Sequence, residues 1–139
     1  MDMAAMTAKE LLRAARGIDR RIEDAAERVE RMRARLEAGR MSAINGMPRG
    51  GAGDWTATAD ALIELERELN ARVREMCSIK RRALACVESV AEARRREVLT
   101  LYYIDGMMWE TVAEHIGVGI RQVQRLHAEA LAEARVEEE

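Results

Sequence analysis

Aromatic residues, proline and cysteine are all scarce in this chain. Only 3% of its 139 residues are aromatic, none is phenylalanine, and there are one proline and two cysteines. Cys77 and Cys86 are nine positions apart in a helical pattern, so they would lie on opposite faces of one helix. That spacing excludes a disulfide or a shared metal between them and predicts two inert thiols.

The chain also lacks an excess of charge and a long apolar run. Its formal net charge of −2 gives no global argument for a nucleic-acid partner. No apolar stretch approaches the ~20 residues of a membrane span, and the acidic start Met1-Asp2-Met3 is unlike a signal peptide. The sequence therefore predicts a cytoplasmic protein that does not insert into a membrane.

Helix-forming residues dominate what remains. Alanine, arginine, glutamate and leucine are abundant, with 48% hydrophobic and 35% charged residues overall. β-branched residues are too sparse and scattered to indicate a sheet. This composition is typical of long helices and coiled coils, and it predicts an all-α fold.

A heptad stripe runs through the first helical block. The block opens at Thr7 and Glu10, whose spacing is that of a capping box. Gly17 lies beside the stripe, and we expect the helix to continue through it. Spacings of three and four residues separate the apolar positions, as in a coiled coil. They are Ala15, Ile18, Ile22, Ala25, Val29, Met32 and Leu36.

A second apolar stripe predicts a helical hairpin over residues 1–92. Residues 39–54 hold five of the nine glycines and the only proline, so they are expected to form the connecting loop. Two stripes of similar length can cover each other in antiparallel order, but each stays partly exposed. Either the C-terminal module or a second copy of the chain must cover the exposed part, and we therefore expect a homodimer or a higher homo-oligomer. The second stripe comprises Leu62, Leu65, Leu69, Val73, Met76, Ala83, Val87 and Val90.

The phase of this second stripe breaks between Val90 and Arg94. Continuing it at heptad spacing would place Arg94 and Glu97 in the core, so a new element is predicted to begin there. One continuous helix from Thr58 to Ile104 is the alternative. The predicted division is then a hairpin over 1–92, a second module over 93–136 and an acidic tail over 137–139.

Three short helices around a tight turn are predicted for the second module. Trp109 begins a stripe at i, i+3, i+4 and i+7, and Gly117-Val118-Gly119 follows as the turn. Gly117 is well placed for a left-handed C-cap. The last helix turns its apolar residues inward, which leaves four polar side chains outward in its first two turns. They are Arg121, Gln122, Gln124 and Arg125.

This module resembles region 4 of the sigma-70 family. The resemblance is carried by Arg-Glu-Val-Leu-Thr-Leu-Tyr-Tyr at 96–103, Trp-Glu-Thr-Val-Ala-Glu at 109–114 and the turn that follows. With Tyr-Ile-Asp-Gly-Met-Met-Trp-Glu at 103–110, the chain is similar to small phage and prophage transcriptional regulators of the late-gene activator type. Met108 and Gly119 depart from the family pattern, because serine or threonine usually caps those two helices.

The resemblance implies a helix-turn-helix that binds double-stranded DNA. Arginine can read guanine and glutamine can read adenine in the major groove, while arginines elsewhere contact phosphate. No cofactor, no metal site and no catalytic set is predicted, so the chain is not expected to be an enzyme. The candidate DNA-binding residues are Arg121, Gln122, Gln124, Arg125, Thr111, Arg94 and Arg95.

The expected function is that of a DNA-binding transcriptional regulator of phage or prophage type. Its hairpin would either oligomerise or contact RNA polymerase. Two alternatives remain open: a small terminase subunit for phage DNA packaging, and an adaptor that binds protein through the helix-turn-helix surface and does not bind DNA.

Overall fold

The computed structural model describes residues 6–44 and 52–137, and within them every regular element is helical. The all-α prediction is therefore confirmed. Five residues of π-helix, Thr100–Ile104, continue directly from the fourth helix and are called the π turn below. The α-helices are α1 (Ala8–Ala15), α2 (Ile18–Ile44), α3 (Ala52–Glu88), α4 (Ala93–Leu99), α5 (Trp109–Ile116) and α6 (Ile120–Glu133). None of the helices described is both long and apolar enough to cross a membrane.

The first predicted block is two helices, not one. The Glu10 backbone N–H donates to the Thr7 hydroxyl over 3.2 Å, so α1 begins at its predicted cap. α1 then ends at Ala15, and Gly17 adopts a φ of +74° before α2 begins. The prediction of a helix continuing through Gly17 is wrong, because this left-handed conformation interrupts the helical backbone.

The predicted loop over residues 39–54 is also too long. α2 continues to Ile44 and α3 starts at Ala52, while residues 45–51 of that loop lie outside the described residues. Gly39 lies against the Trp55 ring, and a Cβ at position 39 would collide with that ring. This glycine therefore permits close packing between two helices, a use that composition alone does not distinguish from a loop.

Residues 20–75 form one compact unit, built from most of α2 and the first part of α3. Arg33 Nε donates to Glu66 Oε1 over 2.7 Å, and further along α2 Gly39 meets Trp55. Position numbers rise in one helix as they fall in the other, so the two helices run antiparallel in this unit. Its buried residues are Ala25, Val29 and Leu69.

Residues 1–19 and 76–139 form the other compact unit, whose larger core joins distant parts of the sequence. Leu11 and Leu12 of α1 are completely buried there. They share one cluster with Val90, which follows α3, with Leu99 of α4 and with residues of α3, the π turn and α6. The sequence-based division assigned α1 to the hairpin; it left open that the C-terminal module covers the hairpin stripes but did not single out Leu11 and Leu12. Amphipathic patterning shows which face of α1 is apolar but does not identify its partner.

α3 and α4 are separate helices, as the phase break near residues 90–94 predicted. α3 ends at Glu88 and α4 begins at Ala93. The Glu92 carboxylate caps α4 by accepting from the backbone N–H groups of Arg94 (3.1 Å) and Arg95 (2.8 Å). These two hydrogen bonds hold the pKa of Glu92 below its ordinary value.

Candidate nucleic-acid interface

α5 and α6 are joined by a turn of three residues, as the sequence predicted. Gly117 caps the end of α5 with a φ of +83°, and its N–H donates to the Ala113 carbonyl over 2.8 Å. Val112 and Val123, one from each helix, are completely buried in the small cluster that packs α5 against α6. This core fixes which side of α6 faces outward.

Neither α5 nor α6 has a side-chain cap at its N-terminus. Met108 and Gly119 occupy the N-cap positions with extended backbone, and neither supplies a side-chain hydrogen bond. Met108 is 67% exposed. At both positions where the sequence departs from the family pattern, the helix therefore begins without a side-chain cap.

The first two turns of α6 bring together the four residues singled out for base recognition. Arg121, Gln124 and Arg125 are exposed, while Gln122 is half-buried. Neither arginine forms an ion pair within the described part of the chain. Thr111 is exposed on α5. The outward face of α6 thus carries cationic and amide groups that are available to a partner.

The arginines of α4 differ sharply in their contacts. Arg95 lies 3.0 Å from Glu129 and 3.3 Å from Glu133 of α6, and these carboxylates raise its pKa. Arg96 donates to the Val90 carbonyl over 3.0 Å. Arg94 alone of the three has an exposed side chain without such a contact. Arg95 therefore ties α4 to α6, and two carboxylates pair with the guanidinium that the sequence-based prediction assigned to phosphate.

The rings of Tyr102, Tyr103, Trp109 and His127 pack into an aromatic cluster that the sequence analysis did not predict. Tyr102 stacks on Trp109 with ring centroids 3.7 Å apart and planes 8° apart. The Arg16 guanidinium lies 4.2 Å from the centroid of the Tyr102 ring. Tyr103 points into the core, where its hydroxyl and His127 Nε2 share a hydrogen bond of 2.7 Å. Trp109 belongs to the apolar stripe noted in the sequence, but nothing in the sequence analysis pointed to the contact of Arg16 with Tyr102.

Arg16 joins α1 to the turn that precedes α5. Its guanidinium donates to the Met107 carbonyl over 3.0 Å and to the Gly106 carbonyl over 3.5 Å. Gly106 has a φ of +73°, the left-handed conformation that glycine adopts readily in turns. These partners are about 90 positions apart in the sequence, and no local pattern relates them.

The electrostatic environment of this cluster is positive. Burial lowers the pKa of His127, and the nearby charges of Lys9 and Arg13 lower it further. Burial also raises the pKa of the Tyr103 hydroxyl, an effect that Arg13 and Arg16 partly oppose. α1 thus places its basic residues close to the middle of α6.

The remaining polar groups give no sign of another kind of site. Cys77 is half-buried and Cys86 fully buried; both are free, and burial raises the pKa of the Cys86 thiol. In the described ranges no group of three or more His, Cys, Asp or Glu could hold a metal ion. Comparison with protein-family models, with curated proteins and with solved structures finds no match to this chain.

Proposed function

We propose that this protein is a sequence-specific DNA-binding regulator of transcription, of phage or prophage type. In this proposal α4, α5 and α6 form a helix-turn-helix like sigma region 4, and α6 is the recognition helix. The observation that carries it is the exposed face of α6, where Arg121, Gln124 and Arg125 extend from a helix fixed by the buried Val123.

The side chains on that face suit the major groove. An arginine guanidinium can donate two hydrogen bonds to guanine, and a glutamine amide can both donate to and accept from adenine. Exposed Arg94 and Thr111 would contact backbone phosphate, which positions the protein without reading sequence. Arg95 is left out of this set because Glu129 and Glu133 engage it.

The antiparallel helices of residues 20–75 are proposed to be a coiled-coil hairpin that oligomerises or contacts RNA polymerase. Ile63 and Leu65 of α3 are 39% and 41% exposed, and Met41 and Ile44 of α2 are 46% and 63% exposed. A second copy could cover such apolar side chains, which would double the number of recognition helices and strengthen binding to a two-part site.

Selection of bound sequences from a random duplex library tests this function directly. We expect enrichment of a defined motif, with affinity that falls steeply as salt increases. Arg125→Ala should weaken binding to that motif by ~1–3 kcal/mol and relax the choice of one base. Arg135→Ala is the matched control, because this exposed arginine lies beyond the far end of α6.

Two results would reject the proposal. If no duplex of any length binds at ~50 mM salt, where phosphate contacts are strongest, DNA recognition is wrong and a protein-binding adaptor is favoured. If light scattering finds a ring of eight or more chains, the regulator is wrong and a DNA-packaging subunit is favoured.

A further inference from the structure

A cavity of about 390 Å³ opens between α1, the π turn and α6. Lys9, Arg13 and Arg16 line one side of it, and Gln124 of α6 lines another. Lys9 and Arg13 are four residues apart on α1, so they lie on one face of that helix, and Arg16 follows as its C-cap. The cavity thus adjoins the surface that carries the proposed recognition residues, with Gln124 common to both.

Among the described residues, no carboxylate lines this cavity. Its other lining residues are Tyr102, Tyr103, Trp109 and His127, which are aromatic. Within the described part of the chain neither Lys9 nor Arg13 forms an ion pair, and both are exposed. By contrast, Arg33 and Arg40 of α2 each pair with a glutamate. Two cations without an ion pair therefore face a cavity that no other described residue lines with an anion.

The positive charge is strong enough to affect a residue inside the cavity. Lys9 and Arg13 both disfavour protonation of His127, in addition to the effect of its burial. An anion bound between the two cations would remove that repulsion. The positive potential of Lys9 and Arg13 at this site therefore favours the binding of an anion.

The packing of the aromatic rings favours a phosphate over a planar base. Trp109 stacks on Tyr102, and the Arg16 guanidinium also lies over the Tyr102 ring. At these distances the two groups must occupy opposite faces, so the Tyr102 ring has no free face. The edge of His127 packs on Trp109 with centroids 4.7 Å apart. The aromatic rings therefore line the base of the cavity. The groups around them that can bind a ligand are the side chains of Lys9, Arg13 and Gln124.

We propose that this cavity is a phosphate site, in which Lys9 and Arg13 bind a backbone phosphate of the duplex that α6 reads. The inference rests on the proposed function and extends it, because it makes α1 a fourth DNA-contacting element beside α4, α5 and α6. Gln124 connects the two surfaces, and Arg16 holds α1 in place through the Met107 carbonyl. A free phosphate monoester offers the same chemistry, and the experiment below separates the two sources.

The first arm measures affinity for duplex DNA against salt, for the motif and for a random duplex. In the double variant Lys9→Gln/Arg13→Gln we expect the slope of log K against log salt to fall by ~2, since each lost contact removes ~0.9. Affinity for both duplexes should fall by the same factor, because phosphate contacts carry no sequence information. Arg135→Gln, which removes one positive charge elsewhere in the same unit, should leave the slope unchanged.

The second arm follows the two histidines by proton NMR. Adding inorganic phosphate or a short duplex should raise the pKa of His127, and the double variant should abolish that response. His115, half exposed beside Glu97 at 3.8 Å, is the internal control for the phosphate titration. Arg13→Lys should retain the response, since it preserves the charge. Unchanged thermal unfolding of the variants verifies that the exposed substitutions leave the fold intact.

The outcomes distinguish failure of the site from failure of the function. Duplex binding with a reduced slope and a responsive His127 supports the proposal. Duplex binding whose slope does not change in the double variant overturns it. If no duplex binds but inorganic phosphate shifts His127 in the parent alone, the proposed function fails and the phosphate site stands with a free phosphate as its ligand. If neither inorganic phosphate nor the short duplex shifts the pKa of His127, the proposed phosphate site is wrong.

Discussion

Leu12→Ala tests the role of α1 in the core of the C-terminal helices. Leu12 is completely buried, in a cluster that includes Leu99 of α4 and Ala130 of α6. Truncating a buried leucine costs ~2–5 kcal/mol, because apolar burial is lost and the surrounding residues fill the cavity only partly. Leu84→Ala is the matched control: this leucine is 38% exposed in the same unit, so its truncation should cost only about 1–2 kcal/mol.

Trp109 fluorescence reports this unit alone once Trp55, the other tryptophan, is replaced by phenylalanine. In that background Leu12→Ala should lower the thermal midpoint by roughly 10–30 °C, given the entropy of unfolding of a unit of about 80 residues. Urea unfolding should give the matching loss of free energy. If Leu12→Ala shifts the Trp109 transition no more than Leu84→Ala does, α1 is not part of this core and the reasoning from its burial fails.

Four further substitutions test the cap, the turn and the half-buried His127. Met108→Ser supplies the missing cap of α5 and should raise the free energy of unfolding by ~1 kcal/mol in urea; an unchanged value would show that position 108 does not act as an N-cap. Gly117→Ser should cost ~1–2 kcal/mol because of the left-handed φ, whereas the same change at Gly119, where φ is −76°, should be neutral or slightly stabilising. The folded pKa of His127 lies below its ordinary value of 6.5, so the unfolded chain binds the proton more readily and stability should decline as pH falls from 7.5 to 5.5. His127→Gln should flatten this pH dependence, and an identical decline in that variant would assign it to other groups.

Local patterns predicted much of the helical order. The stripe at 109–116 and the glycines at 117 and 119 located α5, the turn and the start of α6, because helical periodicity and backbone conformation are properties of neighbouring residues. The phase argument at Val90 located the separation of α3 and α4 for the same reason. Gly17 was missed since its position beside the stripe does not reveal that it adopts a positive φ.

The candidate site was only partly predictable because its contacts are long-range. Exposure of Arg121 and Arg125 follows from the inward stripe of α6, and the sequence identified both. The ion pairs of Arg95 depend on how α4 crosses α6, which no spacing encodes. Likewise, the cavity needs α1 beside His127, more than a hundred positions away. Such pairings come from tertiary packing.

The C-terminal unit is built from two segments that are far apart in the sequence, and this affects how it folds during synthesis. Leu12 leaves the ribosome early, but its partner Ala130 follows 118 positions later. At a synthesis rate of ~5–20 residues per second, Ala130 is added roughly 6–24 s after Leu12. The apolar face of α1 lacks that partner during this time. A chain terminated before α6 would hold Lys9 and Arg13 without Gln124 or His127. Neither the proposed phosphate site nor the proposed recognition face is complete in such a product, so we expect truncated chains not to compete with the whole chain for the proposed DNA sites.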